Sequence, residues 1–319
     1  MATELELKLM VQSEYLTSAS DFLDEMCALA AFEKIARQAT LSLMNGYFDT
    51  EDATLMKAGI ALRIRAVNQQ FIQTVKTRGT NRVGMHARGE WEWTIPRDQL
   101  DLSLLTEVPL PESLQDMSWG RDLIEVFRTD FERQVWLVQE YGAQMEVVCD
   151  QGKVTSPYGE DSIRELELEL KGGDETGLYC FALKLAQHIP LQVSTVSKAQ
   201  KGVRLKNGTI EFPDKPDASA SSLEFAAYWY EVWLVYWEAM FFMEDDVLIQ
   251  PIRYSMMQLS HYLPDELSNK LSTLDTAYQA VLQTSEGSFL VTIASLKETG
   301  ISMLEVGQWL NRASYGETH

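Results

Sequence analysis

Basic residues are scarce in this 319-residue chain: Lys+Arg number 27 against 47 Asp+Glu, a formal net charge of −20. So acidic a chain is repelled by DNA, RNA and anionic membranes, and general affinity for any of them is not expected. Cysteine is sparse too. Cys27, Cys149 and Cys180 are odd in number, widely spaced and form no CxxC, which argues against a disulfide scaffold and a structural zinc site. His86, His188, His261 and His319 show no ligand spacing and receive no metal role. The opening MATELELKLM lacks a basic region followed by an apolar run, so no signal peptide is expected and the compartment is read as cytoplasmic. A clean membrane span is missing as well. The most apolar stretch, Leu223–Met243, repeats Glu224, Glu231 and Glu238 every seven residues. Acids at mid-membrane depth cost about 2.5–3.5 kcal/mol each, so a buried helix with one wet edge is expected instead.

What remains is ordinary globular composition, 45% hydrophobic and 23% charged. At roughly 150 residues per domain the length suggests two domains. Residues 211–222, rich in Pro, Ser and Asp, read as a linker between a β-rich part (1–210) and a helical part (223–319). In the first part, period-two alternation predicts strands at Thr3–Val11, Leu41–Asp49, Ile60–Val67, Phe71–Thr77, Arg88–Ile95, Phe131–Gln139, Gln144–Cys149 and Ile163–Leu170. Helices are expected at Ser20–Gln38, capped by Ser20, and at Asp174–His188, with a short one at Asp98–Leu105. The fold class is α+β: an eight-stranded antiparallel β-barrel with flanking helices, followed by a small all-α domain.

The chemistry lies in how charge alternates. Glu4, Glu6 and Lys8 share one face of the first strand, opposite leucines. Arg63 and Arg65 share a face of the strand Ile60–Val67, and Glu165, Glu167, Glu169 and Lys171 repeat the first pattern. Solvated outer faces on so many strands would leave apolar faces that few helices can cover. The alternative is a barrel whose charged faces point inward. Clustered carboxylates then call for a divalent cation bound by hard oxygens, and clustered Arg and Lys for an anion such as phosphate. Carboxylate ligands favour Mg²⁺ or Mn²⁺ over Zn²⁺.

These residues resemble the CYTH domain, the triphosphate tunnel metalloenzymes. The resemblance is carried by ExExK at Glu4–Lys8, Tyr47-Phe48-Asp49-Thr50, LRIR at Leu62–Arg65, TVK at Thr74–Lys76 and Arg88-Gly89-Glu90-Trp91-Glu92. It continues through Thr129–Arg133, Asp150-Gln151-Gly152, Glu165–Leu170 and Ser197–Gly202, covering about residues 1–206. The longer N-terminal half and fused helical part are most similar to bacterial inorganic triphosphatases. The resemblance implies metal-dependent hydrolysis of inorganic triphosphate in a charged tunnel. By match, Glu4, Glu6, Glu165 and Glu167 would hold metal, with Glu169 on the same face. Lys8, Arg63, Arg65, Lys76, Arg133 and Lys198 would bind phosphate, with Arg88, Lys201, Glu90 and Asp150 in support. Glu4, Glu6 and Lys8 are the catalytic candidates, and the group that orients the attacking water is left open among a second metal, Lys8 and a nearby carboxylate.

Two other readings stay open: an adenylate cyclase or thiamine triphosphatase of the same fold, and a non-catalytic phosphate-binding or scaffold protein. Bacterial members often carry a basic helical CHAD domain associated with polyphosphate. Here residues 221–319 hold four basic residues, Arg253, Lys270, Lys297 and Arg312, against thirteen acids. This part is therefore expected not to bind polyphosphate. A homodimer formed through it is left open.

Overall fold

The computed structural model describes residues 2–29, 35–77, 81–82, 85–284 and 288–316. The strands are β1 (Ala2–Met10), β2 (Ile35–Arg37), β3 (Leu41–Asp49), β4 (Ile60–Val67), β5 (Gln70–Thr77), β6 (Asn81–Arg82), β7 (Met85–Ile95), β8 (Ile124–Glu140), β9 (Ala143–Ser156), β10 (Gly159–Gly173) and β11 (Gln192–Ser194). The helices are α1 (Ser13–Leu29), α2 (Thr54–Lys57), α3 (Thr176–His188), α4 (Lys198–Asn207), α5 (Ser222–Met243), α6 (Ile249–Ser260), α7 (Asp265–Thr284), α8 (Phe289–Ala294) and α9 (Lys297–Gly316).

Eight strands run β1-β10-β9-β8-β3-β4-β5-β7, each antiparallel to the next, and β7 pairs back onto β1. The path therefore returns to its start and leaves no open edge around the ring. Two-residue turns set the register of two hairpins. Asn68 and Gln69 join β4 to β5, and Tyr141 and Gly142 join β8 to β9, all four with positive φ. That geometry matches the right-handed twist of the flanking strands.

Period-two alternation decides which side chains enter the barrel. Leu7 and Leu9 of β1 and Leu166 and Leu168 of β10 are fully buried on its outside. Each such leucine contributes about 1.5–3 kcal/mol, so a one-residue slip that turned them inward would be strongly unfavourable. The outer faces are covered by more structure than the alternation suggested. Around β1, β9 and β10 lie α1, α3, α5, α6, α7 and α9, in one continuous core that includes Trp136, Tyr179, Trp233, Trp237 and Tyr278. Beside β4 and β5, the excursion between β7 and β8 supplies Leu105, Val108, Leu114 and Trp119.

Among the described residues the helical part thus has no core of its own separate from the barrel, although residues 208–221 form no helix or strand. Gly300 of α9 shows how close the docking is: a Cβ there would lie 1.8 Å from the Leu191 carbonyl oxygen.

Several local expectations change. Helix α1 begins at Ser13, not Ser20, because Leu16, Ala19, Leu23 and Met26 form its buried stripe. Ser20 sits within it and hydrogen-bonds Gln134 of β8. Residues Ile35–Arg37 form a short strand on β8 rather than helix. The short helix expected at Asp98–Leu105 is a 3-10 turn over Leu102–Glu107, capped by Asp101, which accepts from the Ser103 N–H at 3.0 Å. Strands β8, β9 and β10 run several residues longer than their apolar alternation indicated. Along α5, Glu224 is exposed in a capping box with Ser221, but Glu238 is 5% exposed, so the wet edge does not continue. Among the described residues no helix is long and apolar enough to cross a membrane.

Candidate active site

The barrel encloses a cavity of about 280 Å³. Its wall carries Glu6 and Lys8 from β1, Arg63 and Arg65 from β4, Lys76 from β5, Glu90 from β7, Arg133 from β8, Glu167 and Glu169 from β10, and Lys198 from α4. These side chains arrive from distant parts of the sequence because each strand presents alternate residues to the same interior. Helix α4 covers one side of the cavity. Its Ala199 and Val203 pack on Leu43, Tyr47, Phe127 and Phe131, and a Cβ at Gly202 would lie 2.4 Å from the Phe127 ring.

The charges separate into two regions. On the β1–β9–β10 side carboxylates gather. Ligand atoms of Asp150, Glu165 and Glu167 lie within 4.8 Å of one another, and all three residues are buried. Lysines and one arginine neutralise them. Lys8 contacts Glu167 directly and Glu6 at 3.2 Å. Lys198 contacts Glu165 directly, Asp150 at 2.6 Å and Glu167 at 3.0 Å. Arg133 donates to Asp150 through Nε at 2.8 Å and Nη2 at 2.7 Å, and through Nη2 to Glu167 at 2.7 Å. Burial pushes the Glu167 carboxyl up, but Lys198, Lys8 and Arg133 outweigh it and hold it well below the usual carboxylate range. For neighbouring Glu165, burial prevails over Lys198 and its carboxyl is raised.

On the β3–β4–β5 side guanidinium groups dominate. Among the described residues the acids beside Arg63 are Glu90 at 3.7 Å and Glu92 at 3.8 Å, and its buried Nε has no hydrogen-bond partner. Arg65 donates from Nε to Asn45 at 3.0 Å. Burial, then repulsion from Arg63 and Arg133, lowers the Arg65 guanidinium to about 10. Tyr47 joins this group. Burial pushes its phenol up, yet Arg63, Arg65 and Lys198 carry it below its ordinary value. Lys76 pairs with Glu90 at 3.2 Å.

Most residues singled out from sequence thus converge. Asp150, expected in support, stands among the clustered carboxylates, while Glu169 contacts Lys171 at 2.5 Å farther along β10. Lys201 does not join the cavity; it lies 3.6 Å from Asp161 and 3.7 Å from Glu238. The side chains of Glu4 and Arg88 lie outside the described residues, although their backbones are opposite each other on β1 and β7. Sequence reasoning passed over Glu146, which lines the cavity and shares the strand parity of Asp150. Tyr47 and Asp49 of the YFDT motif divide their work. Tyr47 lines the cavity, while Asp49 accepts from the N–H groups of Thr50, Leu55 and Met56 and so fixes the start of α2.

Such a cavity suits a small, highly charged anion bound with a cation. The orphaned Arg63 Nε and the crowded Arg65 offer donors to anionic oxygens, and the Asp150–Glu165–Glu167 group offers only hard oxygen ligands.

A family model described as the CYTH domain matches residues 2–203. The inorganic triphosphatase of Haemophilus influenzae is 33% identical over 210 residues, covering 64% of this chain and 55% of that protein. The chain therefore spans about half the length of this curated relative. Among solved structures, a putative adenylyl cyclase from Hippeastrum, described as revealing a dominant triphosphatase activity, is 20% identical with a TM-score of 0.44, covering 65% of this chain and 97% of its own. A putative adenylate cyclase from Bacillus halodurans is 22% identical with a TM-score of 0.37, covering 59% and 90%.

Proposed function

This chain belongs to the CYTH domain family, and on that premise we propose that it is a divalent-metal-dependent inorganic triphosphatase, cleaving tripolyphosphate to diphosphate and phosphate. The observation that carries the reading is one cavity whose wall bears Arg63, Arg65, Lys76 and Arg133 together with Glu6 and Glu167, the last clustered with the buried Asp150 and Glu165. The 33% identity to an inorganic triphosphatase supports it.

Arg63, Arg65, Lys76 and Arg133 bind and orient the phosphate chain and stabilise the charge that spreads over the transferred phosphoryl oxygens. Lys198 and Lys8, each paired with the clustered carboxylates, draw the reacting end of the substrate toward them. Glu6, Asp150, Glu165 and Glu167, with Glu4 from its place on β1, would hold Mg²⁺ or Mn²⁺. The ion supplies charge neutralisation and Lewis acidity when bound. A carboxylate of this group orients the attacking water. In the metal-free protein Glu167 and Glu6 outweigh burial and raise the Lys8 ammonium above its ordinary value, and Lys8 is assigned charge stabilisation on that ground. The cavity, at about 280 Å³, excludes duplex nucleic acid by size.

The deciding experiment is phosphate release from tripolyphosphate, ATP and thiamine triphosphate under Mg²⁺ and Mn²⁺, with Glu6→Ala as control. Turnover is expected to be fastest on tripolyphosphate and to vanish in the variant. Preference for ATP or thiamine triphosphate would assign the cavity to a different member activity. Tight binding without turnover would make it a phosphate sensor.

A further inference from the structure

Helix α4 brings Lys198 into the cavity, and its next two turns carry Lys201 and Arg204, each 7% exposed. Those two cations do not face substrate. Arg204 donates to Asp161 of β10 through Nε at 3.2 Å and Nη2 at 2.6 Å, and to Glu238 of α5 through Nη1 at 3.4 Å. Lys201 lies between the same two acids. Glu238 also accepts from the Ser194 hydroxyl of β11 at 3.2 Å, and Phe242, one turn further along α5, stacks beneath the Arg204 guanidinium at 4.1 Å. Two buried cations thus meet two carboxylates, one from the barrel and one from the C-terminal helices. Loss of either acid leaves a buried positive charge without its partner, which a buried site tolerates poorly. Helix α5 is itself held rigidly, with Trp233 and Trp237 fully buried in the core shared with the barrel.

We propose that Glu238 is a positioning residue for Lys198. Carried by a C-terminal helix, it clamps Lys201 and Arg204 and thereby fixes α4 at the depth from which Lys198 reaches the cavity's carboxylates. The inference rests on the triphosphatase reading only for its kinetic consequence. It gives the acidic helical part a definite role, as the outer half of a clamp on a site-bearing helix. A misplacement of about 1 Å at a reacting centre can cost about 10²-fold in rate, so a clamp this far from substrate can still govern turnover.

The test uses the full chain with Glu238→Gln and, independently, Asp161→Asn, the other half of the clamp. Lysine acylation by a small reagent is followed peptide by peptide in mass spectrometry, alongside tripolyphosphate turnover. The clamp predicts that Lys198 labelling rises about tenfold in both variants as α4 opens locally. Lys8, on β1, stays protected, and exposed Lys153 serves as the reagent control. Turnover is expected to fall about 10²-fold. Unchanged Lys198 labelling overturns the proposal, as does a parallel rise at Lys8, which would mean general loosening. If the wild-type protein releases no phosphate, the triphosphatase reading fails, and the labelling still decides the clamp. Should Glu238→Gln not fold, Asp161→Asn carries the same comparison.

Discussion

Lys8 on β1 and Glu167 on β10 stand opposite each other on one rung of the barrel and are joined through their side chains. Glu6, two residues back on the same face, completes a carboxylate–ammonium–carboxylate row at 3.2 Å. An ammonium between two acids is a fixed positive charge, and that decides what Lys8 can do in catalysis.

Its folded value lies above the 10.5 of the free group, since Glu167 and Glu6 outweigh the desolvation that would lower it. The stabilisation from this pairing is therefore complete below 10.5 and is lost only as pH rises through the folded value. A pH–rate profile taken between about 6 and 9 should contain no limb belonging to Lys8. Lys8→Arg should keep the shape of the profile, while Lys8→Met lowers kcat by roughly 10²-fold through loss of charge stabilisation. Disappearance of an acid limb in Lys8→Arg, the limb along which rate rises as a base loses its proton, would identify Lys8 as a base and sink this assignment.

Arg65 carries the opposite burden. Its folded value of about 10 lies below the ordinary 12.5, so the fold disfavours its charge at every pH below about 10. A bound polyanion removes that penalty. At a hundred times Kd, ligand linkage is worth about 2.7 kcal/mol, or an upshift in Tm of roughly 4 °C for a chain of this size. Arg65→Gln can still donate to Asn45 but lacks the charge. It should lose at least about half of the tripolyphosphate-induced shift measured by scanning fluorimetry. An undiminished shift would place the anion elsewhere.

Asp150 is fully buried and is shared by Arg133 and Lys198. Asp150→Asn leaves both cations short of a partner in a site away from water. Breaking a buried pair in this way costs about 3–5 kcal/mol. Urea unfolding of the metal-free variant should show that loss. A change below about 1 kcal/mol would mean that the pairing behaves like an exposed surface bridge.

The barrel was readable in the chain because alternation is a local signal. Leu7 and Leu9 against Glu6 and Lys8, or Leu166 and Leu168 against Glu165 and Glu167, declare both faces within a few residues. The convergence of Arg63, Arg65, Arg133 and Lys198 follows once the strands close. What stayed hidden depends on partners far away in sequence. Lys201 shares a helix face with Lys198, but one turn carries it outward to Asp161 and Glu238. Glu238 belongs to a row of three acids spaced seven residues apart that reads as solvated, and the Arg204, Lys201 and Ser194 contacts account for its burial. Ile35–Arg37 is too short to announce itself and is a strand because β8 pairs with it.

The shared core predicts how the molecule unfolds. Helix α9 meets the backbone beside β11 at Gly300, where a methyl group would collide with the Leu191 carbonyl. Helix interiors gain from Gly→Ala by about 1 kcal/mol when the site is free, so propensity alone favours Gly300→Ala. Here the contact distance of 1.8 Å demands that α9 move as a body. Overpacking of this kind costs about 1–3 kcal/mol or more, and it should win. Because β11 pairs with β1 and α9 shares a core with β1, β9 and β10, the damage cannot stay in the helical part. Far-UV circular dichroism and the fluorescence of the buried tryptophans should report one coincident transition in the wild type, moved to lower temperature as a unit in Gly300→Ala. Two separated transitions, only one of them displaced in Gly300→Ala, would instead show that the C-terminal helices fold as an independent domain and that the barrel stands without them.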